Sequence, residues 1–192
     1  MSVTPAEAAQ IGVSGSGLLP VGAAGAPFAQ TFDRRFATGT VFAPTSGTLT
    51  LTAIWLPAGQ VVTGISFCSG STAESGGSHL WFALYDQNLV LLGQGADEAG
   101  AAAFAANSLH RQALTAAQTC KYSGLYYLGV CVVGTPMTLI NSVVATVNAA
   151  GNITGMTPIV AATSTAGLNT ATAPNPAGAL TAIVNCIWAL VD

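Results

Sequence analysis

The chain has 192 residues, of which 51% are hydrophobic and only 6% charged, with a net charge of -3 and a mean hydropathy of +0.58. An ordinary soluble domain is roughly 25% charged, so four basic side chains exclude a phosphate-neutralising nucleic-acid binder and a cationic membrane-surface helix. Disorder is excluded by the opposite imbalance, since it needs low hydrophobicity and high charge, and the length suffices for one or two cored domains.

Residues 1–10 carry Glu7 and no Lys or Arg, so no secretory signal is expected. Residues 1–47 read as an N-terminal arm, rich in Gly, Ala, Pro and Ser. Within it Phe28, Phe32 and Phe36 recur every four residues around Arg34 and Arg35. That spacing suits an aromatic stripe on one or two helical turns, or an extended arm whose rings plug into a partner. These five residues are the expected partner-binding arm. A β-sandwich domain is expected over 48–192.

In residues 48–55, Leu49, Leu51, Ala53 and Trp55 face one way with Thr48, Thr50 and Thr52 opposite, the pattern of a half-buried strand. A Pro–Gly turn at 56–59 leads to a second strand over 61–68. A Gly/Ser/Thr loop at 69–78 precedes a strand at 79–85, with Leu80, Phe82 and Leu84 on one face and Trp81 and Tyr85 on the other. Asp86, Gln87 and Asn88 then turn the chain into a returning strand at 89–92. Residues 96–107, Ala-rich with Asp97 and Glu98 near the start, suggest a short helix. Strands are expected at 109–114 and 124–133, the latter apolar on both faces. Residues 137–147 suit a strand or short helix, 149–178 a long loop or second arm, and 180–191 a closing apolar strand. Short strands at spacings near ten residues, separated by Gly and Pro, indicate an all-β, jelly-roll-like antiparallel sandwich.

Residues 122–191, seventy in a row, hold no Asp, Glu, Lys or Arg. The stretch 125–147 has the length of a membrane span, but Gly129, Gly134, Pro136 and Asn141 interrupt it, and no span is expected. A dispersed monomer needs surface charge, so the uncharged stretch is expected to be covered by neighbouring subunits or to present a neutral Thr/Ser/Asn coat.

No pattern points to catalysis. Glu74 and Asp86 are the candidate pair for a glycosidase, which needs two carboxyls flanking one bond, but nothing in their spacing requires proximity. His79 and His110 have no third partner for a metal, and no nucleophile elbow or phosphate loop is present. No enzyme activity, metal or cofactor is expected. Cys68, Cys120, Cys131 and Cys186 contain no C-x-x-C pair and read as buried thiols, with a Cys120–Cys131 disulfide as the alternative. An exposed Trp81/Tyr85 platform would stack on sugar rings, making these two the candidate glycan-binding residues; packing under a loop is the other reading.

The runs at 51–59 (LTAIWLPAG), 64–67 (GISF), 81–86 (WFALYD), 89–92 (LVLL) and 122–129 (YSGLYYLG) resemble virion proteins of actinobacterial tailed phages: head-decoration, minor tail and fibre proteins with a jelly-roll module. The resemblance covers roughly 48–133 and carries no catalytic residue. It implies a non-enzymatic structural protein on the virion exterior, made in the host bacterial cytoplasm. A capsid decoration protein is expected, since 192 residues is short for a complete tail fibre; the alternative is a minor tail or fibre protein binding host glycans. The expected partners are the chain itself, as a homotrimer, and the major capsid protein or another virion protein.

Overall fold

A computed structural model describes residues 27–37, 41–98, 104–135, 138–143 and 159–192. Among them the chain is all-β, with no α-helix. The strands are β1 (Ala29–Gln30), β2 (Val41–Phe42), β3 (Leu49–Leu56), β4 (Val61–Cys68), β5 (Ser75–Tyr85), β6 (Leu91–Gln94), β7 (Leu109–Thr119), β8 (Gly124–Thr135), β9 (Leu139–Val143), β10 (Ala161–Ser164), β11 (Thr181–Ala182), β12 (Asn185–Ile187) and β13 (Ala189–Val191). They form a six-stranded sheet, β11-β10-β3-β8-β5-β6, a four-stranded sheet, β1-β13-β4-β7, and a small third sheet, β12-β9-β2. Every pairing is antiparallel. Strands β3, β4 and β5 step alternately between the two main sheets, and β8 returns to the place between β3 and β5. These are the crossed connections of a jelly-roll-like sandwich.

Two apolar clusters flank the six-stranded sheet. The inner one lies between the main sheets: Ile54, Leu56, Leu80, Phe82, Leu84, Leu128, Val130 and Val132 meet Val62, Phe67, Leu114, Ile187 and Val191. The rings of Phe67 and Phe82 meet edge-on at 4.8 Å. The outer one contains Leu49, Leu51, Trp81, Tyr85, Tyr127 and Cys131, roofed by Leu168, Ala173, Ala177 and Leu180. The central strands are therefore buried on both faces. Gly129, mid-strand in β8, makes room for this: a Cβ there would stand 2.9 Å from Leu49 Cδ1 and 3.2 Å from the Tyr85 ring.

Several expected elements take a different form. Residues 96–98 and 104–107 are not helical; Glu98 N donates to Leu80 O (2.9 Å), so the segment runs beside β5 instead. The hairpin turn is longer than 86–88. Asp86 Oδ1 accepts from Asn88 N (2.8 Å) and Val90 N (2.9 Å), and Leu89 takes a left-handed φ of 64°. The long loop expected at 149–178 contains β10, which pairs with β3; residues 149–158 lie outside the described residues. The single closing strand expected at 180–191 is split into β11, β12 and β13, one in each sheet. All main edges except that of β7 end in short strands, and the two-residue β1, β11 and β2 leave little ladder open to foreign pairing.

Candidate interaction surface

The arm expected over 1–47 is in part sheet. Residues 1–26 and 38–40 lie outside the described residues, but β1 pairs with β13 and β2 with β9. Phe28 N donates to Val191 O (3.0 Å), and its ring packs on the inner cluster. Thr31 is clipped on by its hydroxyl, which donates to Ile187 O (2.9 Å) and accepts from Ala189 N (3.1 Å). A 3-10 turn follows at Arg34–Phe36. Asp33, almost buried, closes it: Oδ1 accepts from Arg35 N (3.0 Å) and Oδ2 from Arg35 Nε (3.0 Å). The hydrogen bond and the charge of Asp33 push the Arg35 guanidinium further above its ordinary value. The i, i+4 stripe therefore does not form, because Phe28 lies just before β1, Phe32 in a bend and Phe36 in a 3-10 turn. Phe28 and Phe32 are half-buried, whereas Phe36 is 67% exposed on a braced turn. The side chain of Arg34 lies outside the described ones.

Trp81 and Tyr85 are corrected more sharply. Both are fully buried beneath residues 165–180. Trp81 Nε1 donates to Thr170 O (2.9 Å) and Tyr85 OH to Pro174 O (3.1 Å). Gln94 clasps the same flap, donating to Ala171 O (2.9 Å) and accepting from Ala173 N (2.7 Å). Neither ring offers a face to a sugar. Burial raises the Tyr85 phenol well above its ordinary range, as suits a hydroxyl that only donates.

The acidic pair separates as well. Glu74 precedes and Asp86 follows β5, so they stand at opposite ends of that strand, up to about 40 Å apart at the usual strand rise. Glu74 is buried; its Oε1 accepts from Gly77 N (2.6 Å), while Oε2 is enclosed without a hydrogen-bond partner. An enclosed carboxylate oxygen is costly, so Glu74→Gln, which keeps the acceptor for Gly77, is expected to raise stability by about 1 kcal/mol. A lower thermal midpoint in scanning calorimetry would refute this. His79 Nδ1 pairs with Asp97 Oδ2 at 2.7 Å and His110 Nε2 with Glu98 Oε2 at 2.6 Å. The histidines thus have separate carboxylates, and no metal-competent cluster of three such groups occurs among the described residues.

The four cysteines are free. Cys120 belongs to the inner cluster and Cys131 to the outer, on opposite sides of the six-stranded sheet, which excludes their disulfide. Burial, with a contribution from the Asp97 carboxylate, pushes the Cys131 thiol up to about 12, leaving it inert.

No protein-family model matches this chain, and no curated protein matches it in sequence. Its function must therefore be read from its own residues.

Those residues show where the few charges go. Arg35 is engaged by Asp33, Arg111 by Asp192, and Asp97 and Glu98 by the two histidines. Glu74 is buried and Asp86 caps a turn. Lys121 is exposed and makes no ion pair among the described residues. Alternation in the sequence gave Trp55 the same inward face as Leu49 and Leu51, yet it is 63% exposed. The flap ends short of it, and no local signal marks that limit.

Proposed function

We propose that this chain is a non-enzymatic structural protein on the exterior of a phage particle, a capsid decoration protein that coats the shell as a homotrimer. The observation that carries this reading is the neutrality of the exterior: the described charged groups are nearly all buried, paired within the chain or capping a turn, so the surface has little to keep single copies apart. The rigid sandwich and the strand and turn runs that resemble phage virion proteins support it further. The major capsid protein, or another virion protein, is the proposed partner, met through the 3-10 turn. There Phe36 is displayed beside an Arg35 already fixed by Asp33, and aromatic and Arg residues held rigid are the usual anchors of an interface. Glycan recognition through Trp81 and Tyr85 is withdrawn, since both rings are covered.

The test is re-addition of purified protein to particles lacking it. Phe36→Ala should lower the affinity roughly tenfold or more, as expected for an interface anchor, with the thermal midpoint unchanged because the ring touches solvent. Phe28→Ala is the wrong probe, since it removes a ring packed on the core. Full occupancy by the Phe36 variant would remove the turn from the contact. Failure of the unaltered chain to bind any particle, together with a single-copy state at high concentration, would overturn the whole reading.

A further inference from the structure

At the end of the sandwich where β3 turns into β4, three connections meet: 57–60, 86–90 and 120–123. They are tied to one another. Gly59 N donates to Cys120 O and Cys120 N to Gln60 O, both at 2.8 Å. Ala58 N donates to Ser123 Oγ (2.9 Å) and Gln87 N to the Tyr122 hydroxyl (3.2 Å), whose ring stacks on Tyr126 at 5.1 Å. The end is therefore a braced surface. Three of the six exposed large apolar side chains of the described residues, Trp55, Val61 and Val90, lie around it; Leu109 lies at the opposite end, paired with Cys68, and Phe36 lies toward that end.

The same surface holds one charge of each sign. Lys121 projects from the connection between β7 and β8. Asp86 sits at the β5–β6 turn, and both of its capping bonds fall on Oδ1, so Oδ2 is not needed for the turn. The two groups do not pair with each other within the chain. Loops joined by short ties carry both groups, so one copy offers both the cation and the carboxylate that an opposite-charge contact with a second copy requires.

We infer that this end is the contact between copies of the chain, with Lys121 of one copy on Asp86 of the next and Trp55 covered by the joint. The inference rests on the assembly reading above and names the surface by which it occurs. Because one copy offers both halves, the contact is head-to-tail, and in the proposed homotrimer it closes into a ring. Docking through Phe36 at the other end stays possible at the same time.

Sedimentation velocity of the full chain at low salt tests it. Trp55→Ala and Lys121→Glu should each weaken self-association at least about tenfold, the first by removing the apolar centre and the second by setting like charges against each other. Adding Asp86→Asn to Lys121→Glu should recover part of the loss, since Asn keeps the Oδ1 acceptor of the turn and removes the repulsion. Circular dichroism and thermal midpoints of all variants should match the unaltered chain. If Trp55→Ala and Lys121→Glu both associate as tightly as the unaltered chain, this surface is not the contact, while the assembly reading survives. An unaltered chain that remains a single copy at every concentration overturns the contact outright, and particle binding then decides the assembly reading separately.

Discussion

Trp81→Ala is expected to lower the unfolding free energy by about 3–5 kcal/mol, the usual cost of truncating a large buried aromatic, whereas Trp55→Ala in the unassociated chain should change it by less than about 0.5 kcal/mol. Both residues sit on the outer face of the six-stranded sheet, in strands that flank β8. The difference is the flap at 165–180. Over Trp81 it brings Leu168, Ala173, Ala177 and Leu180 against the sheet and gives the indole N–H an acceptor at Thr170. Truncation would leave a cavity under a segment without regular structure, which has little ladder of its own to hold it. Urea unfolding at low protein concentration, below any self-association, measures both variants. Cleavage within 165–180 by a nonspecific protease should accelerate in Trp81→Ala alone. Equal midpoints for the two variants would mean that the flap contributes nothing to stability.

Gln112→Leu should cost about 2–3 kcal/mol, although it replaces a polar side chain with an apolar one of similar size in a buried position. Strand β6 covers the edge of β5 only as far as Ala83. Beyond that point the edge is finished by other groups. Gly95 N donates to Phe82 O (2.8 Å), Asp97 Oδ1 accepts from Leu80 N (3.0 Å), and Gln112 Oε1 accepts from Phe82 N (2.7 Å). The Gln112 amide also donates to Leu80 O (3.2 Å). One side chain of β7 thus joins the two main sheets along their seam. Removing it leaves Phe82 N–H buried without an acceptor, and an unmade buried bond carries its full desolvation penalty. Hydrogen exchange should report the change locally, with Phe82 losing protection more than its neighbours. An unchanged Phe82 exchange rate in the variant would show that water or a rearranged chain takes over the role.

Part of this architecture is readable along the chain. The alternation in 48–55, the Pro–Gly turn and the two-sided apolar run at 124–133 each follow from nearest-neighbour physics, since side chains on a strand point alternately to its two faces. The split of 180–191 into three strands of three sheets is not readable. Its residues are almost uniformly apolar, and such a run carries no period that tells one face from the other. Thr50 and Thr52 illustrate the same limit. Their polarity suggests a solvent face, yet both are buried, and the Thr52 hydroxyl donates to Ile187 O (3.2 Å), a partner 135 residues away. The arm is a third case: the spacing of Phe28, Phe32 and Phe36 suits one face of a helix or an extended arm, and only the pairing of Ala29 and Gln30 with β13 decides against the helix at its start.

The candidate surfaces divide in the same manner. Neutrality, and with it the expectation of assembly, comes from composition. Which aromatic is available comes only from the fold: Trp81 and Tyr85 are covered and Trp55 is not, because the flap reaches the first two and stops before the third. The convergence of Lys121, Asp86 and Trp55 on one end likewise follows from strand order, which brings three separate turns together.

The amino-acid order alone determined an all-β chain with very few ions, short strands and glycine- or proline-marked turns, because alternation and turn chemistry act over two to four neighbouring residues. Only the tertiary structure decided which faces are buried twice, which charges are paired and which end of the sandwich is left apolar, because each of those depends on a partner far along the chain.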